Sequence, residues 1–371
     1  MGEPRVVIAH DYLTQKGGAE RVVLAMMRAF PDAPVYTTLF NPETTYPEFD
    51  ASRIRTSWLN RFGVFRRDHR LALPVLALVA STFRVDADVV VVSSSGWAHG
   101  FATKGRRLVY CYSPARWLYQ TERYLGGKAS GSVTGWVLLA LRPFLKVWDK
   151  RQARKAAKYL AISRVVQGRI TDSYGISSEV VGAPHSFDAS LPSSPVAALA
   201  DWDEGFHLVV SRLLPYKNVG AVVDAFRELP DARLVIVGSG PLREELAAAL
   251  PGNVRLLSGL SDEELRWTYQ HCTAVIAPSF EDYGLTPLEA GVYGRPTIAL
   301  RAGGYLDTIV EGVTGTFFDE PTAGAIGAAV RRRPERWDEA AITSHVDGFS
   351  ERVFADRLRA EVASLATPLV G

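Results

Sequence analysis

Residues 278–291 read PSFEDYGLTPLEAG and place two glutamates, Glu281 and Glu289, on either side of a glycine. The preceding run 273–277 is apolar and rich in small and β-branched residues, which predicts a buried strand. Residues 287–294 predict a short helix, with proline in its first turn and glycine at its end. In an open α/β sheet, ligands bind beyond the carboxyl ends of the strands. Both glutamates are therefore expected to border a ligand site.

The chemistry of this stretch suits a sugar nucleotide. Carboxylates accept hydrogen bonds from sugar hydroxyls, and backbone N–H groups at the start of a helix suit a phosphate. The alternative is a surface loop followed by an amphipathic helix whose glutamates are only solvated. Glu281 and Glu289 alone do not decide between these interpretations.

A second motif, which is cationic, follows an apolar strand predicted at 207–211. Residues 211–217 read SRLLPYK, so Arg212 and Lys217 emerge at the carboxyl end of that strand. Two cations at this place match the negative charge that builds on a diphosphate leaving group. An ordinary pair of surface cations is the alternative.

Length and composition set the class of protein. A chain of 371 residues with 47% apolar and 22% charged residues is long enough for two α/β domains. The net charge of +2 predicts no overall attraction to nucleic acid. Cys111 and Cys272 lie in separate apolar runs, which predicts buried free thiols rather than a disulfide or a metal site.

Localisation is predicted from the N-terminus and from the length of the apolar runs. The N-terminus leads directly into a predicted strand at 6–12 without the pattern of a signal peptide. No run reaches the roughly 20 apolar residues of a membrane span. We expect a cytoplasmic protein that needs no metal or other cofactor, either free or at the inner face of the plasma membrane.

Together, the two motifs resemble those of the retaining glycosyltransferases of family four. The resemblance implies an α/β protein of the GT-B fold, with two facing Rossmann-like domains, an interdomain cleft and a C-terminal crossover helix. On this basis we expect an acceptor-binding domain over 1–183, a linker rich in proline and serine over 184–204, a donor domain over 205–345, and the crossover helix over 346–371.

The resemblance also implies roles for residues at the matching positions. Glu281 would lie at the donor sugar, Glu289 would bind the ribose hydroxyls, and Arg212 and Lys217 would hold the diphosphate. The remaining donor-binding candidates are the residues that match glycine-rich turns, the base-contacting strand end and the loop between the glutamates: Gly17, Gly18, Gly238, Gly259, Leu260, Tyr283, Gly284, Leu285 and Thr286. An ordinary tight turn is the alternative for the pair at 17–18.

On the acceptor side the sequence departs from the family. Residues 110–116 read YCYSPAR. This segment resembles the pattern Tyr-Cys-His-Thr-Pro-x-Arg of the mannosyltransferase-like branch. Tyr112 thus stands in the place of a histidine near the reacting sugar, and a phenol is not a base at neutral pH. His99 is the other catalytic candidate, or a packed residue. Arg116 is expected either to meet the charge of an acceptor or phosphate, or to form a surface salt bridge.

Residues 53–79 combine basic and aromatic side chains with an apolar segment. This composition suits an anionic membrane surface or a polyprenyl-phosphate acceptor. The alternative is a solvated basic loop followed by a core helix.

The expected function is transfer of a hexose, with mannose from GDP-mannose as the first assignment, to a glycan or polyprenyl-diphosphate-linked acceptor. The alternatives are a GT-B-fold sugar-nucleotide epimerase, a glycosyltransferase using a UDP-sugar on a small acceptor, and a non-catalytic nucleotide-sugar or lipid-surface binding partner. The motifs do not name the base, the sugar, the acceptor or the linkage.

Overall fold

A computed structural model describes residues 4–120, 133–202, 205–334 and 336–366. The chain divides into two compact units. The first comprises residues 1–184 together with the C-terminal segment from Glu351, and the second comprises His185–Ser350. Each unit is built around its own parallel sheet.

The sheet of the first unit has seven parallel strands in the order β3-β2-β1-β4-β5-β6-β7. The two central strands, β1 and β4, are paired from Val6 opposite Val89 to His10 opposite Ser93. β4 is a valine-rich run that is buried along its whole length, as expected for a strand covered on both faces. The strands are β1 (Val6–His10), β2 (Val35–Thr37), β3 (Ile54–Thr56), β4 (Val89–Ser94), β5 (Arg106–Cys111), β6 (Lys158–Ala161) and β7 (Glu179–Val180).

Helices of the first unit follow the local start and stop signals of the sequence. The Ser163 hydroxyl accepts a hydrogen bond from the N–H of Val166 and so caps the helix that begins at Arg164. The same helix ends at Gly175, whose φ of 68° is the left-handed conformation that glycine favours. The helices are α1 (Gly18–Ala29), α2 (Gly63–Arg67), α3 (Leu73–Thr82), α4 (Arg116–Tyr119), α5 (Val133–Ala153) and α6 (Arg164–Tyr174).

The sheet of the second unit has six parallel strands in the order β10-β9-β8-β11-β12-β13. The strands are β8 (Phe206–Val210), β9 (Arg233–Val237), β10 (Val254–Leu257), β11 (Cys272–Ala277), β12 (Thr297–Leu300) and β13 (Gly315–Phe318). The turn before β13 leads into a parallel edge strand paired with β12.

The helices of the second unit cover both faces of its sheet. They are α7 (Val219–Arg227), α8 (Arg243–Ala248), α9 (Asp262–His271), α10 (Thr286–Gly291), α11 (Tyr305–Thr308), α12 (Ala323–Arg332) and α13 (Glu339–Asp347). α9 begins with a capping box: the Ser261 hydroxyl accepts from the N–H of Glu264, whose carboxylate accepts from the N–H of Ser261. α7 and α12 pack together on one side of the core.

The segment predicted as a linker is part of the second unit's core. Val196, Leu199 and Trp202 are buried against Trp267 of α9 and against β8. Burial of these apolar side chains explains why residues 185–202 are packed onto the second unit, although their proline and serine content is typical of a linker.

The last helix, α14 (Glu351–Ala366), belongs to the first unit. Its Phe354 ring meets Tyr110 of β5 edge to face, with ring centres 5.4 Å apart. Its Glu361 accepts a hydrogen bond from Lys158 of β6 at 2.7 Å. The predicted α/β class, with two Rossmann-like units, is confirmed.

Cys111 and Cys272 are buried free thiols, as predicted. Within the described ranges, none of the helices has the length and apolar character needed to cross a membrane.

Candidate functional site

The order of the strands places a ligand crevice between β8 and β11 in the second unit. From β8 the chain continues to β9 on one side, and it later returns through β11 on the other side. A reversal of this kind opens a crevice at the carboxyl ends of the two strands, which is where ligands bind in open α/β sheets. Lys217 follows β8 and Glu281 follows β11, so the sheet brings the two sequence motifs together.

An ion pair joins the motifs at this crevice. The ammonium of Lys217 donates to Oε1 of Glu281, and the hydroxyl of Ser279 donates to the same oxygen at 2.6 Å. The side chains of Lys217 and Glu281 are 14% and 26% exposed, so the pair is shielded from solvent but reachable. Sequence reasoning assigned no role to Ser279.

Arg212 lies beside this pair and is exposed. Its Nη2 is 3.4 Å from the hydroxyl of Tyr216, and the Lys217 ammonium lies 5.3 Å from the centre of the Tyr216 ring. The loop after β8 therefore presents two cations next to one aromatic side chain. Asn218 fixes this loop, because its side-chain amide donates to the carbonyl of Pro278 at 3.0 Å.

The loop that carries Glu281 is fixed by the turn after β12. The N–H of Gly304 donates to the carbonyl of Glu281 at 2.8 Å. Gly303 has a φ of 66°, and a Cβ there would lie 2.1 Å from that same carbonyl oxygen. Only glycine fits such an approach of two backbones. The sequence shows a glycine-rich turn at this place, but its partner becomes visible only when β11 and β12 are paired.

Glu289 is held separately from the ion pair. The hydroxyl of Tyr269, on α9, donates to Oε2 of Glu289 at 2.7 Å. Glu289 lies in α10, directly after the loop of Glu281, and its side chain is half-buried. The structure thus gives the two glutamates different environments, one against a cation and one against a phenol.

The other donor-binding candidates of this unit line the same edge of the sheet. Gly238, at the end of β9, meets the loop after β8 so closely that a Cβ would lie 1.9 Å from the carbonyl oxygen of Ser211. Gly259 has a φ of 70° and is exposed. Tyr283 is buried, and burial raises the pKa of its hydroxyl. The half-buried candidates are Leu260, Gly284, Leu285 and Thr286.

The first unit has an equivalent reversal between β1 and β4. Asp11, directly after β1, accepts hydrogen bonds from the backbone N–H groups of Ser95, Trp97 and Ala98 at 2.6, 2.8 and 2.7 Å. This buried carboxylate therefore shapes the loop after β4. The sequence analysis missed Asp11, although a carboxylate directly after a buried strand was a usable signal.

Tyr112 is part of a buried chain of hydrogen bonds. Its hydroxyl lies 2.9 Å from the hydroxyl of Ser93, which in turn lies 2.9 Å from Nδ1 of His10. The Tyr112 hydroxyl also donates to the carbonyl of Ala19 at 3.3 Å. Burial raises the pKa of this phenol, so it remains protonated. Through its hydrogen bond to Ala19, Tyr112 helps to fix the start of α1.

His99 occupies the position of a packed residue. Its ring is 2% exposed, Nε2 lies 2.9 Å from a carboxylate oxygen of Asp149, and Nδ1 lies 3.4 Å from the hydroxyl of Ser94. The ring is buried next to these two side chains, which favours the alternative of a packed residue. The catalytic role of His99 stays a prediction.

Gly17 and Gly18 stand at the start of α1, as the sequence predicts for a turn before a helix. A Cβ at residue 17 would lie 2.5 Å from the Glu20 carboxylate, which is buried and has its pKa raised by that burial. Arg116 is exposed at the start of α4. It lies five residues before the stretch 121–132, which is outside the described residues.

Residues 196–341 match the family described as glycosyl transferases group 1. One relative is the GDP-mannose-dependent alpha-(1-6)-phosphatidylinositol monomannoside mannosyltransferase of Mycolicibacterium smegmatis, 28% identical over 56% of this chain and 60% of that protein. Another is the glycogen synthase of Pseudomonas aeruginosa, 39% identical over 33% of this chain and 26% of that protein. The chain therefore spans less than two thirds of the length of these relatives. The residues matched by the family model lie within the second unit.

Solved structures share the fold over nearly the whole chain. The sucrose-phosphate synthase of Thermosynechococcus elongatus has a TM-score of 0.69 at 17% identity, with 97% of this chain and 99% of that chain covered. HepE of Anabaena, solved in complex with UDP-glucose, has a TM-score of 0.68 at 15% identity, with 97% and 100% covered. These similarities confirm the two-unit α/β fold.

Proposed function

We propose that this chain is a retaining glycosyltransferase that moves a hexose from a nucleotide-diphosphate sugar to a glycan or lipid-linked acceptor. The observation that carries the proposal is the contact between Lys217 and Glu281 at the β8–β11 crevice, with Arg212 beside it. A cation for the diphosphate and a carboxylate for the sugar are thereby adjacent. These are the two functions that a sugar-nucleotide donor requires of the protein.

Each charged group has a distinct part in the proposed reaction. As the bond between the anomeric carbon and the diphosphate oxygen breaks, negative charge grows on the diphosphate, and Arg212 and Lys217 stabilise it. The acceptor oxygen attacks from the same face and forms the new glycosidic bond, while the departing diphosphate takes the acceptor proton. Glu281 orients the sugar hydroxyls and stabilises positive charge at the anomeric carbon.

This scheme needs no protein base and no metal ion. The leaving group accepts the proton, which agrees with the burial of His99 and with the raised pKa of Tyr112. The two cations after β8 supply the charge that a metal supplies in other transferases. Glu289, oriented by Tyr269, is assigned to the ribose hydroxyls.

The donor assigned first is GDP-mannose. The mycobacterial relative named as GDP-mannose-dependent supports it, while the glycogen synthases among the relatives support a glucosyl donor. Since relatives of this chain are named as glycosyltransferases or synthases, the sugar-nucleotide epimerase alternative is not favoured. A UDP-sugar transferase acting on a small acceptor is the competing assignment.

A thermal-shift panel of GDP-, UDP-, ADP- and dTDP-sugars tests the proposal. We expect the GDP-sugar to raise the melting temperature of the full chain, because a ligand that binds only the folded state stabilises it. We expect Lys217→Ala to abolish that shift. A shift with a UDP-sugar alone would replace the donor assignment, and no shift with any sugar nucleotide would overturn the function.

The acceptor side of the proposal includes contact with a membrane. Apolar side chains of α3 and the turns before it are exposed, among them Trp58, Phe62 and Leu78 at 50%, 50% and 63%. Phe144 of α5, the helix that packs on α3, is 75% exposed. Arg61 and Arg67 are exposed in the same segment. Exposed apolar groups with cations beside them fit an anionic lipid surface, at which a lipid-linked acceptor would be reached.

The proposed location follows from this acceptor. A transferase that takes a nucleotide sugar from the cytoplasm and a lipid-linked acceptor from the bilayer would work at the inner face of the plasma membrane. Co-sedimentation with vesicles tests this part separately from the donor.

A further inference from the structure

A groove of about 800 Å³ lies in the second unit at the end of the sheet opposite to the donor crevice. Cys272 and Thr273, at the beginning of β11, and Pro296, directly before β12, form part of its wall. Glu281 follows the other end of β11, a strand of six residues. Such a strand is roughly 20 Å long, so the groove is separate from the site of Lys217 and Glu281.

Three arginines give the groove its character. Arg295 enters it from the turn before β12, while Arg333 and Arg336 enter it from the segment between α12 and α13. Glu339, the first residue of α13, contributes a carboxylate. Its Oε1 is 3.2 Å from Nη1 of Arg295, and the two side chains are 63% and 31% exposed. Among the described residues that line the groove, three guanidinium groups stand against one carboxylate, so the groove favours an anion.

Two residues that line the groove carry buried hydrogen-bond donors that have no acceptor within the described residues. Nε of Arg295 and Nε1 of Trp337 are buried and have no hydrogen-bond partner within the described part of the chain. A buried donor without a partner is rare in folded proteins and calls for an explanation. Arg333 donates to the carbonyl of Pro334 at 3.5 Å, which leaves further N–H groups of its guanidinium for a ligand.

We infer that this groove is a second anion site, which binds a phosphorylated small molecule through Arg295, Arg333 and Arg336. The planar forks of three guanidinium groups match the oxygens of a phosphate or diphosphate. The volume exceeds that of one phosphate, so the ligand carries a further group, which Trp337 would contact. In this scheme the Glu339 carboxylate competes with the ligand for Arg295.

The groove is connected to the donor side through packed helices. α13, which begins at Glu339, packs against α10, which contains Glu289. A Cβ at Gly291 of α10 would lie 2.4 Å from the side chain of Val346 of α13, so the two helices are in close contact. If ligand binding moves Glu339, the change occurs in α13, which contacts the helix that contains Glu289.

Calorimetric titration of the full chain with inorganic pyrophosphate tests the inference. Pyrophosphate is also a ligand for Arg212 and Lys217, so the titration uses Lys217→Ala as its background. We expect this variant to retain binding, and we expect Arg333→Ala with Arg336→Ala in the same background to weaken it about tenfold per guanidinium removed. The matched control is Arg331→Ala with Arg332→Ala, which removes the same charge from exposed positions at the end of α12.

Glu339→Gln separates ligand binding from damage to the fold. Removing the competing carboxylate is expected to tighten pyrophosphate binding severalfold, which a merely destabilised protein would not do. Equal affinity in the two double-arginine variants, or no binding in the Lys217→Ala background, would overturn the inference. Either result would leave the donor-site proposal standing, because that proposal depends on the response of Lys217→Ala to sugar nucleotides.

The phosphate recognised by this groove belongs either to a free metabolite or to a lipid headgroup. Co-sedimentation with phosphatidylcholine vesicles, with and without phosphatidic acid, distinguishes these sources. We expect the same sedimentation for Arg333→Ala with Arg336→Ala as for the unaltered chain. Loss of sedimentation with phosphatidic acid vesicles in this variant would overturn the assignment to a small molecule, because the groove would then bind a lipid headgroup.

Discussion

Lys217 and Glu281, 64 residues apart in the chain, form an ion pair that joins the loop after β8 to the loop after β11. The pair places a cation and a carboxylate at the reversal point of the second sheet. Ser279 donates to the same carboxylate oxygen, so Glu281 has a second contact that does not depend on Lys217. The arrangement is suited to a donor whose diphosphate and sugar must be held by adjacent groups.

Replacing either member of this pair is expected to abolish sugar transfer. Lys217→Ala removes the charge that stabilises the departing diphosphate, and Glu281→Ala removes the group that orients the sugar. Loss of one preorganised electrostatic contact lowers kcat by about 10²–10³-fold. Steady-state kinetics with the donor found in the thermal-shift panel measures the effect.

Glu281→Gln is the control for this prediction. The amide keeps the size of the side chain and accepts from Ser279, but it lacks the charge. We expect a cooperative thermal unfolding transition together with low kcat. Near-normal kcat in Lys217→Ala or Glu281→Ala would contradict the assigned roles.

Gly303→Ala is expected to destabilise the second unit and to displace Glu281. A Cβ at this residue would lie 2.1 Å from the Glu281 carbonyl oxygen, so the two loops must separate. Gly312→Ala is a matched control, because Gly312 also has a positive φ, 79°, but a Cβ there would meet open space, with no neighbouring atom within 4 Å. The control should cost about 1–2 kcal/mol of left-handed strain, and Gly303→Ala should cost more. Urea denaturation measures both, and equal costs would refute the close approach.

The sequence predicted the parts of this site that depend on neighbouring residues. Arg212, Lys217 and Glu281 each follow an apolar run that predicts a strand, and parallel strands bring their carboxyl ends to one edge. The contacts of Gly303 and Asp11 could not be predicted in this way. Gly303 meets the loop after β11, and Asp11 meets the loop after β4. Their identity depends on which strands pair, which the local pattern does not encode.

Burial was the second property that the local pattern did not reveal. His99 and Tyr112 stand where a family histidine or its substitute was expected, yet both side chains are packed inside the first unit. Likewise, residues 196–202 have the composition of a linker but supply Val196, Leu199 and Trp202 to a core. A single sequence shows polarity and spacing, whereas burial depends on the whole set of packed elements.

Stability of the first unit is expected to rise as the pH increases from about 4 to 6.5. Burial, with a smaller contribution from Arg70, lowers the pKa of His69 from 6.5 to about 4. The unfolded chain therefore binds a proton in this range that the folded chain does not, so unfolding becomes less favourable as the proton is lost. His69 stacks on Tyr12 with ring centres 3.9 Å apart, so His69→Phe keeps the stacking. Denaturation midpoints from pH 4 to 7 should show a shallower rise in this variant, and an unchanged slope would contradict the prediction.

Tyr112→Phe tests whether this phenol is a positioning residue. The change removes the hydrogen bonds to Ser93 and to the carbonyl of Ala19. We expect a loss of about 1–3 kcal/mol in stability, because two hydrogen bonds are lost. We also expect the pH profile of kcat to stay the same. A new or shifted limb in that profile would show instead that the phenol takes part in proton transfer.

Vesicle binding is expected to depend on Arg61 and Arg67 more than on Arg66. Nη1 of Arg66 donates to the carbonyl of Asn60, so its guanidinium is engaged within the protein. Arg61 and Arg67 are exposed. A cation near an anionic leaflet contributes about 1 kcal/mol, so Arg61→Ser with Arg67→Ser should weaken binding by roughly 30-fold. Leu78→Ser should weaken binding to anionic and neutral vesicles alike, because it removes apolar contact. Co-sedimentation that is the same for all variants would exclude this surface from the membrane contact, and the acceptor would then have to be reached from solution.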